Sequence, residues 1–249
     1  MQLPSPLVKA TLLKRYNRFL ADCRLDNGET ITAHVANPGS MMSLLLPEAT
    51  VWLSHTDNPK RKLKYSWELI DLGDGALSGV STAHPNRIVE EALRARAVEE
   101  LAAYGEVRRE VKYGKNSRID FLLSEDGLPE AYVEVKNVHL RREGDWAEFP
   151  DSVTARGAKH LDELADMVAA GHRAVMFYLV QRTDCTRFKL AGDLDPAYFK
   201  AYERARAAGV EAICYDCRIA VPAPDPAHDR PGAHAGTIEL GRPLPIRID

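Results

Sequence analysis

The character of the sequence changes near residue 82, and this change limits most strongly what the chain can fold into. Residues 7–81 form short segments that alternate in polarity and are separated by turn sequences such as Asn27-Gly28 and Asn58-Pro59. Several short strands at about ten-residue spacing are typical of a small β-barrel or sandwich. We therefore predict a small β-barrel or sandwich over residues 1–82.

The second part of the chain, residues 83–249, alternates strand-like with helical segments, which favours an α/β domain. Asn86 stands at a position suited to capping a helix, with apolar residues at helical spacing as far as Ala103. The proline-rich stretch 222–236 is typical of an exposed loop. Further strands are predicted over 107–113, 118–123, 131–138, 174–180, 210–221 and 237–248, and further helices over 158–170 and 196–208.

Charge and hydropathy exclude several classes of protein. The 249 residues carry 33 Lys and Arg against 36 Asp and Glu, which gives a net charge of -3. That balance excludes a globally basic nucleic-acid coat and a polybasic membrane binder, but it allows a local basic patch. No apolar run approaches the roughly 20 residues that span a bilayer, so we expect no membrane association.

The N-terminus and the cysteines favour a cytoplasmic location. Residues 1–16 contain prolines and charges where a signal peptide has an apolar stretch. The 4 cysteines do not make a disulfide framework for a chain of this length. Cys214 and Cys217 form a C-x-x-C on a predicted strand, but a structural zinc site normally has four ligands. We interpret both as structural residues, and the sequence leaves any further role open.

A predicted hairpin over 117–137 holds the most informative charges. Asp126-Gly127 is a strong turn signal, and a hairpin symmetric about Gly127 places Asp120 opposite Glu134. Strand alternation puts Asp120 on the face of residues 118 and 122, away from residues 119, 121 and 123. Two opposed carboxylates repel each other, so the pattern predicts a positive group between them. That group is a metal ion or a neighbouring side chain, Lys136 or Arg118.

Paired carboxylates with a lysine two residues on suit metal-dependent phosphodiester hydrolysis. Carboxylate oxygens are ligands for Mg²⁺, which keeps several waters and contacts substrate phosphate. The spacing Asp-x13-Glu-x-Lys of Asp120, Glu134 and Lys136 is the signature of PD-(D/E)xK nucleases. That fold also supplies an acidic residue from the preceding helix, here Glu91 or Glu90. An amphipathic hairpin facing solvent would show the same alternation of charges, so this alternative stays open.

The densest basic cluster lies in the first part of the chain, at residues 60–64, and two aromatic residues follow it. Such a segment can contact a phosphate backbone while its rings stack on bases, as in an oligonucleotide-binding (OB) barrel. The alternative is a strand that buries Leu63, Tyr65 and Trp67 and leaves its lysines outside. Arg15 and Arg18 repeat the basic and aromatic theme on the first predicted strand.

Several other chemistries lack their motifs. The chain contains no G-x-x-x-x-G-K-[ST] phosphate loop and no G-x-S-x-G nucleophile elbow. His160-Leu161-Asp162-Glu163 departs from the H-E-x-x-H of zinc proteases. A sugar-metabolising enzyme therefore has little support from the residues themselves.

Eight stretches, in matching order across nearly the whole chain, are shared with a known family. They are RYNRFLADC (15–23), TAHVANPGSM (32–41), NPKRKLKYSWELI (58–70), NRIVEEAL (86–93), RREVKYGKNSRIDFLL (108–123), YVEVKNVHL (132–140), FPDSVTARGAKHLDELADMV (149–168) and RAVMFYLVQR (173–182). On these stretches the chain resembles the sugar fermentation stimulation protein A family.

The resemblance implies an OB-like β-barrel followed by a PD-(D/E)xK nuclease-like α/β domain. It also implies DNA binding without strong sequence preference and, from the family name, a regulatory link to sugar (maltose) metabolism. Carried over residue by residue, the family's site falls on Glu91, Asp120, Glu134 and Lys136. Segment 35–38 reads Val-Ala-Asn-Pro where many members read Cys-Pro-Asn-Thr, so any role of that cysteine is absent here.

Two hypotheses from different classes follow. The first is a DNA-binding regulatory protein that needs no turnover. The second is a deoxyribonuclease in which Asp120 and Glu134 hold Mg²⁺ or Mn²⁺, Glu91 completes the ligand set and Lys136 orients water. The sequence leaves the oligomeric state open, a homodimer included. The predicted DNA contacts are Arg15, Arg18, Lys60, Arg61, Lys62 and Lys64.

Overall fold

The computed structural model describes residues 1–4, 7–114, 117–221 and 236–247. The first part of the chain is a β-barrel. Its sheet has the order β3-β2-β1-β4-β5-β6, and a short parallel pairing of β3 with β5, Ala33 beside Tyr65, closes it. Trp67 and Leu53 are fully buried inside. The strands are β1 (Leu7–Tyr16), β2 (Leu20–Leu25), β3 (Thr30–His34), β4 (Thr50–His55), β5 (Tyr65–Gly73) and β6 (Ala76–Gly79).

The second part is a mixed sheet of order β14-β13-β11-β9-β8-β7. Strands β9, β11 and β13 run parallel, while β7, β8 and β9 form an antiparallel meander. The strands of this part are β7 (Glu106–Tyr113), β8 (Ser117–Ser124), β9 (Ala131–Val138), β10 (Trp146–Phe149), β11 (Arg173–Val180), β12 (Arg187–Leu190), β13 (Glu211–Ala220), β14 (Thr237–Pro243) and β15 (Ile246–Arg247). Strands β10, β12 and β15 make a separate small sheet.

Helices cover both faces of the large sheet. Helix α1 (His84–Arg94) packs Ile88 and Val89 against one face, in a core shared with Phe121. Helices α2 (Ala155–Ala169) and α3 (Pro196–Ala207) cover the other face, in a core that contains Leu161 and Tyr198. A sheet covered in this way is an α/β layer structure, so the predicted fold class, a β-barrel followed by an α/β domain, is confirmed.

The structure corrects the prediction for α1. The helix ends at Arg94 rather than at Ala103, because Arg96 adopts a left-handed backbone conformation with φ 54°. The chain then turns so that Val98 and Leu101 reach the core. Asn86 is not the cap, since Ala83 occupies that position.

Two strands, β10 and β12, were not predicted from the sequence at all. The other predicted strands and helices of the second part agree with the structure to within a few residues, except that the last segment is divided into β14 and β15. The predicted loop over 222–236 lies outside the described residues apart from its last residue. None of the helices in the described part of the chain is long and apolar enough to cross a membrane.

The barrel and the α/β part meet along a polar interface. Ser78 and Gly79 at the end of β6 both donate hydrogen bonds to the carbonyl of Gln181, at 2.7 and 2.9 Å. Asn37 of the barrel donates to the carbonyl of Val80, and its amide lies 3.4 Å from the buried ring of His139. The loop that follows β3 therefore lies against the end of β9.

Candidate metal and nucleic-acid site

Asp120 lies where strands β8 and β9 part. The ladder between them pairs Phe121 with Val133 and Leu123 with Ala131, a register centred on residue 127 as predicted, which places Asp120 opposite Glu134 just beyond the last pair. There the Asp120 carboxylate accepts the backbone N–H of Val135 at 2.8 Å. At this point of the sheet the side chain of Asp120, rather than a backbone carbonyl, accepts the hydrogen bond from the neighbouring strand.

The parting of the strands also changes which way the side chains face. Ile119 packs with Leu122 in the core beneath α2, whereas Phe121 and Leu123 pack in the core beneath α1. The predicted alternation, with residues 119, 121 and 123 on one face, is therefore wrong at residue 119. The break in alternation coincides with Asp120.

The first turn of α1 holds the other oxygen of Asp120. Asn86 donates its side-chain amide to Asp120 Oδ1 at 2.7 Å. Burial, and next the charge of Glu134, raise the pKa of Asp120 to about 6. The hydrogen bonds from Asn86 and Val135 favour the ionised form and limit that rise.

Glu134 is nearly fully buried, and its two oxygens have different surroundings. Oε1 accepts from Lys136 Nζ at 2.7 Å and is in contact with His160 Nδ1. Oε2 is buried and has no hydrogen-bond partner. Burial alone would raise the pKa of Glu134, but the bonds from His160 and Lys136 outweigh it and hold that pKa below its usual value. Glu134 is therefore a negatively charged side chain, and its buried Oε2 makes no hydrogen bond.

These side chains line a cavity of about 290 Å³. Strands β8 and β9 form its floor, and the first turns of α1 and α2 form its walls. We call it the carboxylate pocket and define it by Asn86, Asp120, Glu134, Lys136 and His160.

The donor set of the carboxylate pocket fits a hard divalent cation. A buried carboxylate oxygen without a partner costs free energy unless a cation or a water satisfies it, and Glu134 Oε2 is such an atom. Asp120 supplies a second carboxylate. Among residues 1–4, 7–114, 117–221 and 236–247, no group of three His, Cys, Asp or Glu side chains is arranged to hold a metal. Two carboxylates with open positions are the donor set that Mg²⁺ commonly uses with water and substrate phosphate.

The structure does not place Glu91 in this pocket, which corrects the predicted ligand set. Its side chain is 57% exposed and pairs with the terminal amine of Met1 at 2.8 Å. The neighbouring Glu90 pairs with Arg94 and Arg109. The residue of α1 that contacts Asp120 lies in the first turn of the helix, and it is Asn86 rather than an acid.

Sequence reasoning missed the role of α2 in the pocket. Thr154 caps the helix by accepting the N–H of Gly157 at 3.1 Å, and His160 lies one turn further on. Arg156 donates its Nε–H to His160 Nε2 at 3.3 Å and lines the pocket. The available signal was a histidine on the apolar face of the helix that follows the hairpin, but only packing brings it to Glu134.

The predicted basic cluster lies on a loop rather than on a strand, because β5 begins only at Tyr65. We call residues 56–64 the basic loop; it carries Lys60, Arg61, Lys62 and Lys64. Trp67 is buried in the barrel and donates its indole N–H to Leu69 O, so its ring cannot stack on a base. The half-buried Tyr65 packs on the ring of His55, with ring centroids 5.0 Å apart.

The two predicted arginines of β1 and its turn differ in what they contact. The half-buried Arg15 donates to the carbonyls of Asn37, Gly39 and Ser40 at 2.8 to 3.1 Å. Its guanidinium therefore holds the loop after β3 in place, and few of its N–H groups remain to bind a phosphate. Arg18 is exposed in the turn between β1 and β2.

Cys214 and Cys217 lie on opposite faces of β13. Cys214 packs in the core beneath α2 and α3, and Cys217 packs in the core beneath α1. Burial raises the pKa of both thiols far above the usual range. Because the sheet separates them, the two sulfurs share no metal and no disulfide, which agrees with the structural interpretation.

Comparison with known families follows the same division of the chain. The model described as SfsA N-terminal OB domain matches residues 13–78, and the model described as sugar fermentation stimulation protein RE domain matches residues 83–222. The chain belongs to this family. Curated members named sugar fermentation stimulation protein homolog include one from Dinoroseobacter shibae, 58% identical over 99% of this chain and 96% of its own length. Another, from Roseobacter denitrificans, is 63% identical over 88% of this chain and 94% of its own length.

A solved member of the family has the same fold. The structure of Pyrococcus furiosus SfsA in complex with Ca²⁺ superimposes with a TM-score of 0.81, covering 99% of this chain and 98% of that one. The two sequences are 24% identical. At that identity the likeness shows that the fold of the family, barrel and α/β part together, is the fold of this chain.

Proposed function

We propose that this chain binds DNA with low sequence specificity and hydrolyses its phosphodiester bonds in the carboxylate pocket with Mg²⁺ or Mn²⁺. The observation that carries the proposal is the buried, unpartnered Oε2 of Glu134 beside the carboxylate of Asp120. We divide the chain into a DNA-binding barrel over 1–82 and a nuclease-like domain over 83–249. We place the protein in the cytoplasm, where DNA is available.

The chain's own residues would divide the work as follows. Asp120 and Glu134 would hold the cation, which when bound polarises the phosphate and acidifies a coordinated water. Asn86 fixes one oxygen of Asp120, while His160 and Lys136 occupy Glu134 Oε1 and leave Oε2 for the ion. The ammonium of Lys136 also brings positive charge to the place where negative charge develops on phosphorus.

Hydrogen bonds and a strand pairing connect the basic loop of the barrel to the pocket. Arg61 of the basic loop donates to Ser66 Oγ at 2.9 Å, and Ser66 pairs with His34 at the end of β3. Two residues further on, the carbonyl of Ala36 accepts the N–H of Thr82, which lines the pocket. The basic loop and the pocket are thus connected through the loop after β3, and we propose that one bound strand contacts both.

A divalent cation is supported by the relative from Pyrococcus furiosus, whose structure is a complex with Ca²⁺. Ca²⁺ and Mg²⁺ both take oxygen ligands. Two carboxylates in a pocket open to water suit either ion, and hydrolysis favours the smaller.

The test compares the wild-type protein with Asp120→Asn on single-stranded, duplex and branched DNA, each with Mg²⁺, Mn²⁺ or EDTA. We expect cleavage that needs the metal and is lost in Asp120→Asn. Asp126→Asn is the matched control, because it changes an exposed acid in the turn of the same hairpin and should cleave like the wild type. Cleavage by Asp120→Asn at the wild-type rate would contradict the assignment of the pocket.

A second candidate is a DNA-binding regulatory protein of sugar metabolism with no turnover. Among the described residues that line the pocket there are two acids, Asp120 and Glu134, and Glu91 pairs with Met1 instead, which favours this candidate. Binding to all three DNAs without cleavage in Mg²⁺ or Mn²⁺ would support this candidate over the first. The link to sugar metabolism itself rests on the family name.

A further inference from the structure

Most of the exposed apolar side chains lie on segments that are connected to residues around the carboxylate pocket. Among the described residues six large apolar side chains are exposed, and five of them lie on three short segments of the chain, 17–19, 42–46 and 151–153. Val153 is 75% exposed and Met42 is 53% exposed. We call these five side chains the apolar rim: Phe19, Met42, Leu45, Leu46 and Val153.

Hydrogen bonds connect two of these segments to each other, and one of them leads directly into a residue that lines the pocket. Asp151 Oδ2 accepts from Ser40 Oγ at 3.0 Å and from the N–H of Met41 at 3.2 Å. Met42 is the next residue on one side, and Val153 lies two residues beyond Asp151 on the other. Thr154, directly after Val153, lines the pocket.

The loop of the barrel is also tied to the strand that carries Glu134. Ser43 Oγ donates to the carbonyl of His139 at 3.0 Å, just beyond the end of β9. Met42 therefore lies between two anchored residues, Met41 and Ser43. The third segment, 17–19, is connected to the same loop. The carbonyl of Phe19 accepts the N–H of Val35, which directly follows β3 at the start of that loop.

Two arginines lie close in sequence to these apolar side chains. Arg18 precedes Phe19 and is exposed, and Arg156, three residues after Val153, is exposed and lines the pocket. Guanidinium groups contact phosphates, and apolar side chains contact the faces of bases. In a duplex those faces are covered by stacking, so exposed Met, Leu and Phe side chains reach them only where the bases are unstacked.

We propose that the apolar rim holds unstacked bases of a DNA strand whose backbone lies in the carboxylate pocket. The preferred substrate is then DNA with unpaired nucleotides, either a single strand or the unpaired arm of a junction. The proposal rests on the proposed function, because it takes DNA as the ligand of this pocket. Charge complementarity carries the choice of DNA over an apolar protein surface, since Arg18 and Arg156 flank the apolar groups.

The test measures fluorescence anisotropy in EDTA, which prevents cleavage, with a labelled oligothymidine strand and a duplex of the same length. The variant is Met42→Ser combined with Val153→Ser, two exposed positions outside the pocket's polar groups. We expect the wild type to bind the single strand about tenfold more tightly than the duplex, and the variant to lose most of that preference.

Leu128→Ser is the matched control, because Leu128 is 44% exposed at the turn of the hairpin. That turn is roughly 20 Å from Asp120 along the strands. It should leave both affinities unchanged. Loss of affinity confined to the single strand in the rim variant would support the proposal. Equal affinity of wild type and rim variant for the single strand would overturn it, as would an equal loss on the duplex.

Three further outcomes separate the possible failures. If the wild type binds no DNA of either kind and cleaves none in Mg²⁺ or Mn²⁺, the proposed function fails together with this inference. Cleavage with the metal but no binding in EDTA overturns the inference alone. If the wild type binds DNA and the rim variant changes only its self-association, measured by light scattering, the rim is a contact between copies of the chain. That result overturns the inference and leaves the proposed function standing.

Discussion

The charged side chains of the carboxylate pocket differ from those of the basic loop in how far they are buried and in which elements hold them. In the pocket, Glu134 is buried and Asp120 is half-buried, and each is held by side chains or backbone from other elements. In the basic loop, four cations follow one another on a single segment, and Lys60 and Lys62 are exposed. The pocket therefore depends on the packing of β8, β9, α1 and α2, whereas the loop depends only on its own sequence.

This difference decides how each region should respond to substitution. A buried group with several partners acts as part of a unit, so one change should remove most of the unit's activity. Exposed cations act on phosphates nearly independently and through a screened field, so each should contribute a small share. We therefore expect single substitutions to have large effects in the pocket and small, additive effects in the basic loop.

The largest effect is expected for Glu134→Gln. The substitution keeps the shape but removes the charge of the oxygen that has no partner, and it should lower metal-dependent cleavage by about a hundredfold or more. Cleavage rates in Mg²⁺ and Mn²⁺ measure it. Glu110→Gln is the control, because Glu110 also begins an E-x-K sequence but is exposed on β7. Equal rates for the wild type and Glu134→Gln would break the comparison.

The second prediction concerns His139, which lies where the barrel meets the α/β part of the chain. Burial lowers the pKa of this imidazole to about 4, so between that pH and about 6.5 the unfolded chain binds a proton that the folded chain does not. Stability should therefore fall as the pH falls, and at pH 5 His139 alone should cost about 2 kcal/mol of the free energy of unfolding.

Urea unfolding at neutral pH and near pH 5, for the wild type and His139→Gln, measures this contribution. The decrease between the two conditions should be smaller in the variant, whatever the variant's stability at neutral pH. The same decrease in both proteins would show that His139 is not held neutral at the interface.

A smaller effect is expected for Lys60→Glu combined with Lys62→Glu. Reversal of two exposed charges should weaken DNA binding about tenfold at low salt and flatten its salt dependence, since fewer counterions are released. Affinity measured over a series of salt concentrations provides both quantities. Lys112→Glu combined with Lys200→Glu, two exposed positions away from the barrel, should change them less. Equal losses in both pairs would mean that the loop has no special part in binding.

The smallest effect is expected for Glu91→Gln. Because Glu91 pairs with Met1 outside the pocket, cleavage and metal affinity should stay within about twofold of the wild type. Calorimetric titration with Mn²⁺ and the cleavage assay both measure this. A loss as large as that of Glu134→Gln would restore Glu91 to the metal site.

The parts of the site that are close in sequence could be predicted from it. The turn at Gly127 and the period of two along each strand are enough to oppose Asp120 and Glu134, because a hairpin's register depends on local residues. The break in alternation at Ile119 was not predictable in this way, since it arises where the strands part. The signal for β10 and β12 was equally weak, since both are only four residues long.

Contacts between distant elements could not be predicted. The side of α1 that faces the hairpin depends on the phase and docking of the helix, so Asn86 lies beside Asp120 and Glu91 does not. His160 reaches Glu134 from α2, twenty-six positions along the chain, only through packing of the helix on the sheet. In the barrel, the run of four cations could be read from the sequence, but the burial of Trp67 depends on closure of the sheet.

The most direct test of the central claim is a crystal of the protein grown with Mn²⁺, with diffraction recorded near the manganese absorption edge. We expect an anomalous peak in the carboxylate pocket, within coordination distance of Glu134 Oε2 and the carboxylate of Asp120. A pocket without that peak, at a Mn²⁺ concentration that supports cleavage in solution, would contradict it.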